Sequence, residues 1–323
     1  MRDKLVSIII PTYNRINLIG ETVNSALAQT YNNIEIIVLD NNSSDGSFNY
    51  LQENYKANSK IRIYKNDVTY DIVKNWRKCF EYSLGEYVLI LWSDDLIDPE
   101  FISKTQNFLD ENPNAAFVYS LTQIFNTEKG TFKNVFKLNK SGLIEKKVFI
   151  EKSLLEPPLS VPVSPANTLF RRKDVVKNLL INIPNNFKVD FSKIGQGNDN
   201  LLFLLALNDY SHFGYLDEKL SYFRDHSNSI TLSTNSFLVT LRYHIAKAYF
   251  VSNSNLDRKL IVKFNSKVFL IMILCKVMGI KTKNSFNKLY SNNTINDYKL
   301  KYSIYFLIKY IKHSIKVKLS TNF

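Results

Sequence analysis

Two adjacent acids, Asp94 and Asp95, stand one residue past an apolar run, Tyr87–Trp92, in a chain of 323 residues. The run has the length and the β-branched and aromatic content of a buried strand. Asp98 and Pro99 then read as the N-cap and first residue of a helix. Two carboxylates therefore sit where a buried strand leaves its sheet, the edge at which open α/β sheets bind ligands. Side by side they repel unless a cation or a proton intervenes. A divalent metal on Asp95, with Asp94 close by, neutralising a diphosphate is the economical reading. A solvated acidic turn capping a helix is the alternative.

The elements around this pair alternate. Strands are expected at Leu5–Ile10 (stopped by Pro11), Ile34–Leu39, Ile61–Tyr64 and Tyr87–Trp92. Helices are expected from Leu18 to about Gln29 with Asn17 as cap, at Ser47–Tyr55 and at Asp71–Leu84. Strands alternating with helices at this spacing argue a parallel sheet with helices on both faces. The strand ends then collect Pro11–Arg15, Asp40–Asn42 and Asp94–Asp95 along one edge. Further on, a helix runs to about Asn112, Ala115–Phe125 reads as a strand and Thr131–Lys146 as a hairpin. Pro157–Pro165 holds four of the eight prolines and reads as an extended loop. A strand at Asn167–Arg171, a helix at Lys173–Leu180, an irregular Asn182–Gln196, a helix at Asn198–Asn208 and short strands at His212–Leu216 and Leu220–Phe223 follow.

Composition divides the chain. The net charge is +13, yet 16 of the 42 Lys and Arg and only 2 of the 29 acids fall from Ser236 onward. That part reads as helices alone, so the expected division is a domain over residues 1–235 and a basic helical subdomain over 236–323. Its helices cover about Leu260–Met278 and Tyr298–Leu319. In the second, Leu300, Ile304, Leu307, Ile308, Ile311, Ile315 and Leu319 form one stripe, with Lys301, Lys309, Lys312 and Lys316 away from it. The stripe packs on the rest of the protein, or lies on an anionic membrane surface with its lysines toward lipid. No nucleic-acid motif accompanies the basic charge. Cys79 and Cys275 alone make neither a disulfide framework nor a zinc cluster. The longest apolar stretch, Val268–Cys275, is far short of the ~18 residues a spanning helix needs. A first strand opening within a few residues of Met1 leaves no signal peptide, so a cytoplasmic protein, peripheral at the inner face of the cell membrane, is expected.

Four stretches in order resemble the inverting family 2 glycosyltransferases of the GT-A fold. Val6–Arg15 (Val-Ser-Ile-Ile-Ile-Pro-Thr-Tyr-Asn-Arg) is similar to that family's first strand and nucleotide loop, and Val38–Gly46 to its second. Gly85–Asp95 resembles the strand leading to its metal acids, and Tyr222–Thr231 its Tyr-Arg-x-His…Ser segment. The resemblance implies a Rossmann-like, mixed sheet flanked by helices, with an α-helical C-terminal region.

It also implies roles. Pro11, Tyr13 and Arg15 would line the base and ribose pocket. Asp40, with Asn42 in the same loop, would accept from the uracil ring N–H. Asp94 would lie near the ribose, and Asp95 would bind Mn²⁺ or Mg²⁺. Arg224 would meet phosphate. His226 would donate to the diphosphate or bind the metal, against the alternative of a surface histidine. An inverting transfer needs one general base. Gly195–Leu202 matches its usual setting, which makes Asp199 the candidate, with helix capping as its other role and Asp190 as rival. Three departures stand out: Trp92 where a longer acid motif has Asp, Asn198 where Glu is usual, and Lys74 or Arg77 in place of a missing Arg.

The resulting expectation is a metal-dependent transfer of a sugar from a nucleotide-sugar donor to a hydroxyl of a growing, lipid-linked surface glycan. A non-catalytic sugar-nucleotide or glycan-binding module of the same fold is the alternative, motivated by Trp92 and Asn198. An adaptor driven by the basic tail alone is the third.

Overall fold

A computed structural model describes residues 3–126, 128–138, 140–157, 159–226, 236–280, 285–290 and 296–320, with side chains through residue 312. The elements run β1 (Val6–Thr12), α1 (Ile19–Leu27), β2 (Ile34–Asp40), α2 (Ser47–Tyr55), β3 (Ile61–Lys65), α3 (Ile72–Tyr82), β4 (Tyr87–Ile90), β5 (Leu96–Ile97) and α4 (Phe101–Glu111). Next come β6 (Ala115–Asn126), β7 (Thr131–Val135), β8 (Gly142–Glu145), α5 (Lys146–Leu155), β9 (Thr168–Arg171), α6 (Arg172–Asn178), α7 (Phe191–Ile194), α8 (Asn198–Ala206) and β10 (His212–Arg224). The chain ends in α9 (Ser236–Ser252), α10 (Arg258–Val277) and α11 (Leu300–Ser320).

One mixed sheet has the order β3-β2-β1-β4-β9-β6-β10-β5, with β7 on β6 and β8 on β10. The first four strands are parallel. β9 lies antiparallel between β4 and β6, and β10 runs parallel to β6. The expected parallel sheet is therefore only the N-terminal part of a mixed one. Strand order reverses about β1, whose neighbours β2 and β4 lie on opposite sides, and such a reversal opens a crevice at the strand ends.

The strands read as continuous apolar runs because both faces are covered. Ile9, Ile37, Leu39, Val88 and Ile90 enter one core. Val6, Ile8, Ile10, Ile36, Val38 and Leu89 enter the other, under α1, α2 and α4. Each such side chain contributes about 1.5–3 kcal/mol on burial. Leu241, Ile245 and Phe250 of α9 and Phe264, Val268 and Ile271 of α10 belong to the first core. The start of the basic region is thus continuous in packing with the sheet.

Several expectations needed correction. β1 runs through Pro11, because the ring's missing N–H faces β4, whose pairing with β1 stops at Ile9–Ile90. Leu18, without a side-chain bond, stands before α1 in place of Asn17. Helix α4 begins at Phe101 rather than Pro99. Asp98 instead makes a turn, accepting from Glu100 N–H at 3.0 Å, after Leu96–Ile97 pair with β10. Thr131–Lys146 is not a hairpin: β7 returns along β6 and β8 pairs with β10. α5 was not foreseen. The two short strands near residues 212–223 are one strand, β10, broken by register shifts between Leu216 and Ser221. Among the described residues, no helix is long and apolar enough to cross a membrane.

Candidate active site

The loops after β1 and β2 are sewn together. Asn14 and Asn42 adopt φ of 51° and 61°, left-handed values that Asn tolerates better than other side chains. Asn14 N–H donates to Ser43 Oγ (2.8 Å), and Ser44 N–H to Asn14 Oδ1 (2.9 Å). Arg15 N–H donates to Ser47 Oγ (2.9 Å) and Ile16 N–H to Asp45 Oδ2 (3.0 Å). Between these loops Asp40 ends β2 with no solvent exposure. Its Oδ2 accepts from Ser43 N–H (2.8 Å), while its Oδ1 is buried without a partner among the described residues. An unpaired buried acceptor costs free energy that a ligand N–H would recover. Pro11 lies buried beneath the loop, and Tyr13 stands exposed at the rim.

Asp95 is buried, and its Oδ1 accepts from Arg224 N–H (3.0 Å). Burial, then the charge of Asp94, pushes its carboxyl well above the usual carboxylate range. Asp94 is half-buried. Its Oδ2 lies 3.0 Å from His226 Nε2 and 3.7 Å from Arg15 Nε. The Arg224 guanidinium donates to Asp94 O (3.2 Å) and Glu21 Oε2 (2.7 Å) and lies over the Phe125 ring. Arg224 thus braces the acid turn from the end of β10. His226 sits against Asp94 rather than Asp95. Residues 227–231 of the closing motif lie outside the described residues.

The crowded carboxyls of Asp95 and Asp94 offer the oxygen donors that suit Mn²⁺ or Mg²⁺, and the His226 imidazole lies against Asp94. The raised carboxyl of Asp95 is the charge such an ion would relieve. Among the described residues no three His, Cys, Asp or Glu converge as metal ligands. A hard cation here would complete its shell with phosphate oxygens and water, as Mg²⁺ does.

Asp199 opens α8. Gly195 and Gly197 flank the approach at φ of 68° and 116°. A Cβ on either would collide, with Trp76 at Gly195 and with Ala246 and Phe191 at Gly197. Asp199 Oδ1 accepts from the N–H groups of Gly197 (2.9 Å) and Asn200 (2.8 Å), and Oδ2 from the Tyr243 hydroxyl (2.9 Å). Burial pushes this carboxyl up to about 6, against the pull of those three bonds. A base that keeps partial access to solvent with such a value is suited to neutral pH. The rival Asp190 caps α7 in the open, accepting from Ser192 Oγ (2.6 Å) and N–H (3.2 Å), and its carboxyl is held low by Ser192.

The departures have structural work. Trp92 lies against Trp76, ring centres 4.6 Å apart, and its indole N–H donates to Ser164 Oγ (2.7 Å). Through Trp76 and Gly195 it links the acid turn to the Asp199 loop. Asn198 donates to Leu180 O (2.7 Å) and Ile181 O (3.3 Å), which a carboxylate cannot do. Arg77 is held by the carbonyls of Val176 and Leu179, while Lys74 pairs, among the described residues, with Asp71 at 3.3 Å. Tyr243, Ser164 and Glu21 were missed from the sequence. None carries a local signal, because each meets its partner through packing alone.

Comparison with known proteins supplies the rest. The model of the family described as Glycosyl transferase family 2 matches residues 7–179. The UDP-Glc:alpha-D-GlcNAc-diphosphoundecaprenol beta-1,3-glucosyltransferase WfgD of Escherichia coli is 29% identical over 166 residues, 49% of this chain and 64% of that one. The structure of S. aureus TarS 1-349 in complex with UDP-GlcNAc superposes with a TM-score of 0.60 at 19% identity, over 83% of this chain and 71% of that one. The mannosyltransferase PcManGT from Pyrobaculum calidifontis, in complex with GDP-Man and Mn2+, gives 0.52 at 12% identity, over 85% and 74%. The chain spans about half or less of the length of the first curated relatives it matches.

Proposed function

The chain belongs to glycosyl transferase family 2 and has the GT-A fold, and we propose that it transfers a sugar from a UDP-sugar to a hydroxyl of a growing lipid-linked glycan. One observation carries this reading: the buried Asp40 oxygen that has no partner among the described residues and the crowded pair Asp94–Asp95 share one sheet edge. The first fits a base ring N–H and the second the charge of a diphosphate. WfgD, named for a UDP-Glc donor and a diphosphoundecaprenol acceptor, supports the choice of both substrates.

In this reading Asp40 accepts from the uracil N–H, while Pro11, Tyr13, Arg15 and Asn42 line the base and ribose. Asp94 meets the ribose side, and Arg224 with Lys74 faces the phosphates. Asp95 would hold Mn²⁺ or Mg²⁺, with His226 as nitrogen ligand and Asp94 close by; bound there, the ion would supply positive charge to the departing diphosphate. Asp199 takes the acceptor hydroxyl proton as that oxygen attacks the anomeric carbon. The bond from this carbon to the diphosphate oxygen breaks, and the nucleoside diphosphate leaves with its electron pair. A single displacement of this kind inverts the anomeric centre. The proposed catalytic and donor-binding residues lie within residues 1–235, and the basic helices α9, α10 and α11 pack on that part and place it at the inner face of the membrane.

Melting the protein against a panel of nucleotide sugars, with and without Mn²⁺, tests the donor reading. A UDP-sugar should raise the melting temperature more with Mn²⁺ than without it. Asp95→Ala should lose the Mn²⁺-dependent part and still fold. Equal stabilisation of parent and variant would remove the metal assignment.

A further inference from the structure

Helix α9 starts in the basic region, yet two neighbouring residues on it reach back to the loop that carries Asp199. Arg242 donates to Gln196 Oε1 (2.8 Å), and the Tyr243 hydroxyl donates to Asp199 Oδ2 (2.9 Å). Ala246, three residues on, meets Gly197, where a Cβ would come within 2.8 Å. The loop is therefore strapped at three successive points by one helix. We propose that Tyr243 is a positioning residue for Asp199, aiming one lone pair of its carboxylate at the acceptor hydroxyl. This rests on the reading of Asp199 as the general base.

The geometry follows from counting acceptor sites. A carboxylate offers about four lone-pair directions. Gly197 and Asn200 N–H fill the two on Oδ1, and Tyr243 fills one on Oδ2. The direction that remains is on the oxygen Tyr243 holds, so the Tyr243 bond fixes where it points. Tyr243 can only donate here. Burial and the charge of Asp199 push its phenol well above the usual tyrosine range, so it keeps its proton at neutral pH.

The bond also opposes the burial of Asp199. Hydrogen bonds to the charged form favour ionisation, and desolvation disfavours it. Charged side chains on the elements packed about this loop are, among the described residues, on α9, at α7 and at the start of α3, where Asp71 accepts from Ser192 Oγ (3.2 Å) and pairs with Lys74. Lys247, one turn beyond Tyr243, is buried, donates to Ser153 O (2.7 Å) and feels the charge of Asp199. Arg242 is held by Gln196. Asp190 and Lys193 on α7 pair with each other at 3.7 Å. Among the described residues Tyr243 is the side chain hydrogen-bonded to the base, so its removal should change both the aim and the titration of Asp199.

The test is a carboxyl-carbon NMR titration of the full chain labelled at Asp, with Asp199→Asn assigning the resonance. The parental resonance should titrate near 6. Tyr243→Phe should move it up by about one pH unit, since a bond to the charged form is lost. Site-specific 3-fluorotyrosine at 243, a stronger donor, should move it down, and this keeps the test decisive should Tyr243→Phe fold poorly. Transfer by Tyr243→Phe should fall about tenfold in kcat with donor KM kept, and its acid limb should shift with the resonance. A purely structural Tyr243 would lower the melting temperature and leave the titration in place, which would overturn the proposal. Parental transfer by Asp199→Asn would overturn the base assignment itself, a separate failure.

Discussion

Asp40, at the end of a strand, and Asp199, at the start of a helix, are both site carboxylates, and they are held in different ways. Asp40 ends a parallel strand and is fixed by its own turn, through Ser43 three residues on. Asp199 is fixed by two left-handed glycines and by a hydroxyl 44 residues further along the chain. The first carboxylate keeps a buried oxygen without a partner among the described residues; the second is bonded at both oxygens. An acceptor left open suits recognition of a fixed donor N–H. A bonded, burial-raised carboxyl suits taking and releasing a proton. The donor side is thus made locally, from strand ends, and the base side by tertiary packing.

Replacing Asp199 sharpens this contrast most. Asp199→Asn keeps size and capping and removes the base, so turnover should fall about 10²–10⁴-fold with little change in donor affinity. In the parent, Asp199 acts ionised, so kcat/KM should decline as pH falls through about 6. The sign for stability is opposite. A carboxyl raised above its unfolded value favours the fold below that value and loses the contribution as pH rises through about 6. Asp199→Asn should therefore melt higher than the parent by a wider margin at pH 7.5 than at pH 5. Near-parental transfer would turn attention to Asp190.

Asp40→Ala is the matching change on the other side, with a smaller effect. Loss of a directed bond to the base ring should weaken uridine nucleotide binding by roughly 1–3 kcal/mol. Calorimetry with UDP measures it. A turn residue alone would leave affinity intact and lower only the melting temperature.

What the sequence disclosed follows the same line. Apolar runs ending in Asp40 and Asp94–Asp95 revealed the strands and the edge they share, because that geometry is local. Ser47–Tyr55 forms the helix its pattern predicts. Pairings across distance stayed hidden: β8 with β10, α5 beneath the aromatic core, Tyr243 with Asp199. Asn198 and Trp92 looked like missing acids, because their partners, Leu180, Ile181 and Ser164, are assembled only by folding. The basic excess was also partly misread. Lys247, Lys267 and Lys309, from three different helices, converge on the C-terminal end of α5. There they meet the carbonyls of Ser153, Leu154 and Glu156 and the Glu156 carboxylate, where a helix favours cations.

Helix α11 carries the smallest expected effect on chemistry, and its described faces differ. Phe306 and Ser303 turn inward, with Ser303 Oγ donating to Ser266 O (2.9 Å), and Tyr298 just before the helix stacks on Phe269. Four residues of the sequence stripe do not pack: Leu300, Ile304, Ile308 and Ile311 are 48–63% exposed, while Leu307 is half-buried and Ile315 and Leu319 lie outside the residues whose side chains are described. Lys301 and Lys312 flank them in the open. An exposed apolar line beside lysines is the pattern of a helix lying in a lipid interface. Ile304→Ser, Ile308→Ser and Ile311→Ser together should leave the melting temperature and donor binding near parental. The same variant should lose co-sedimentation with anionic phospholipid vesicles, and parental binding should weaken with salt. Phe306→Ala should do the reverse, destabilising by about 3–5 kcal/mol as a cavity opens against α10. A triple variant that unfolds, or one that still binds vesicles as the parent does, would leave α11 as structure and remove the membrane reading.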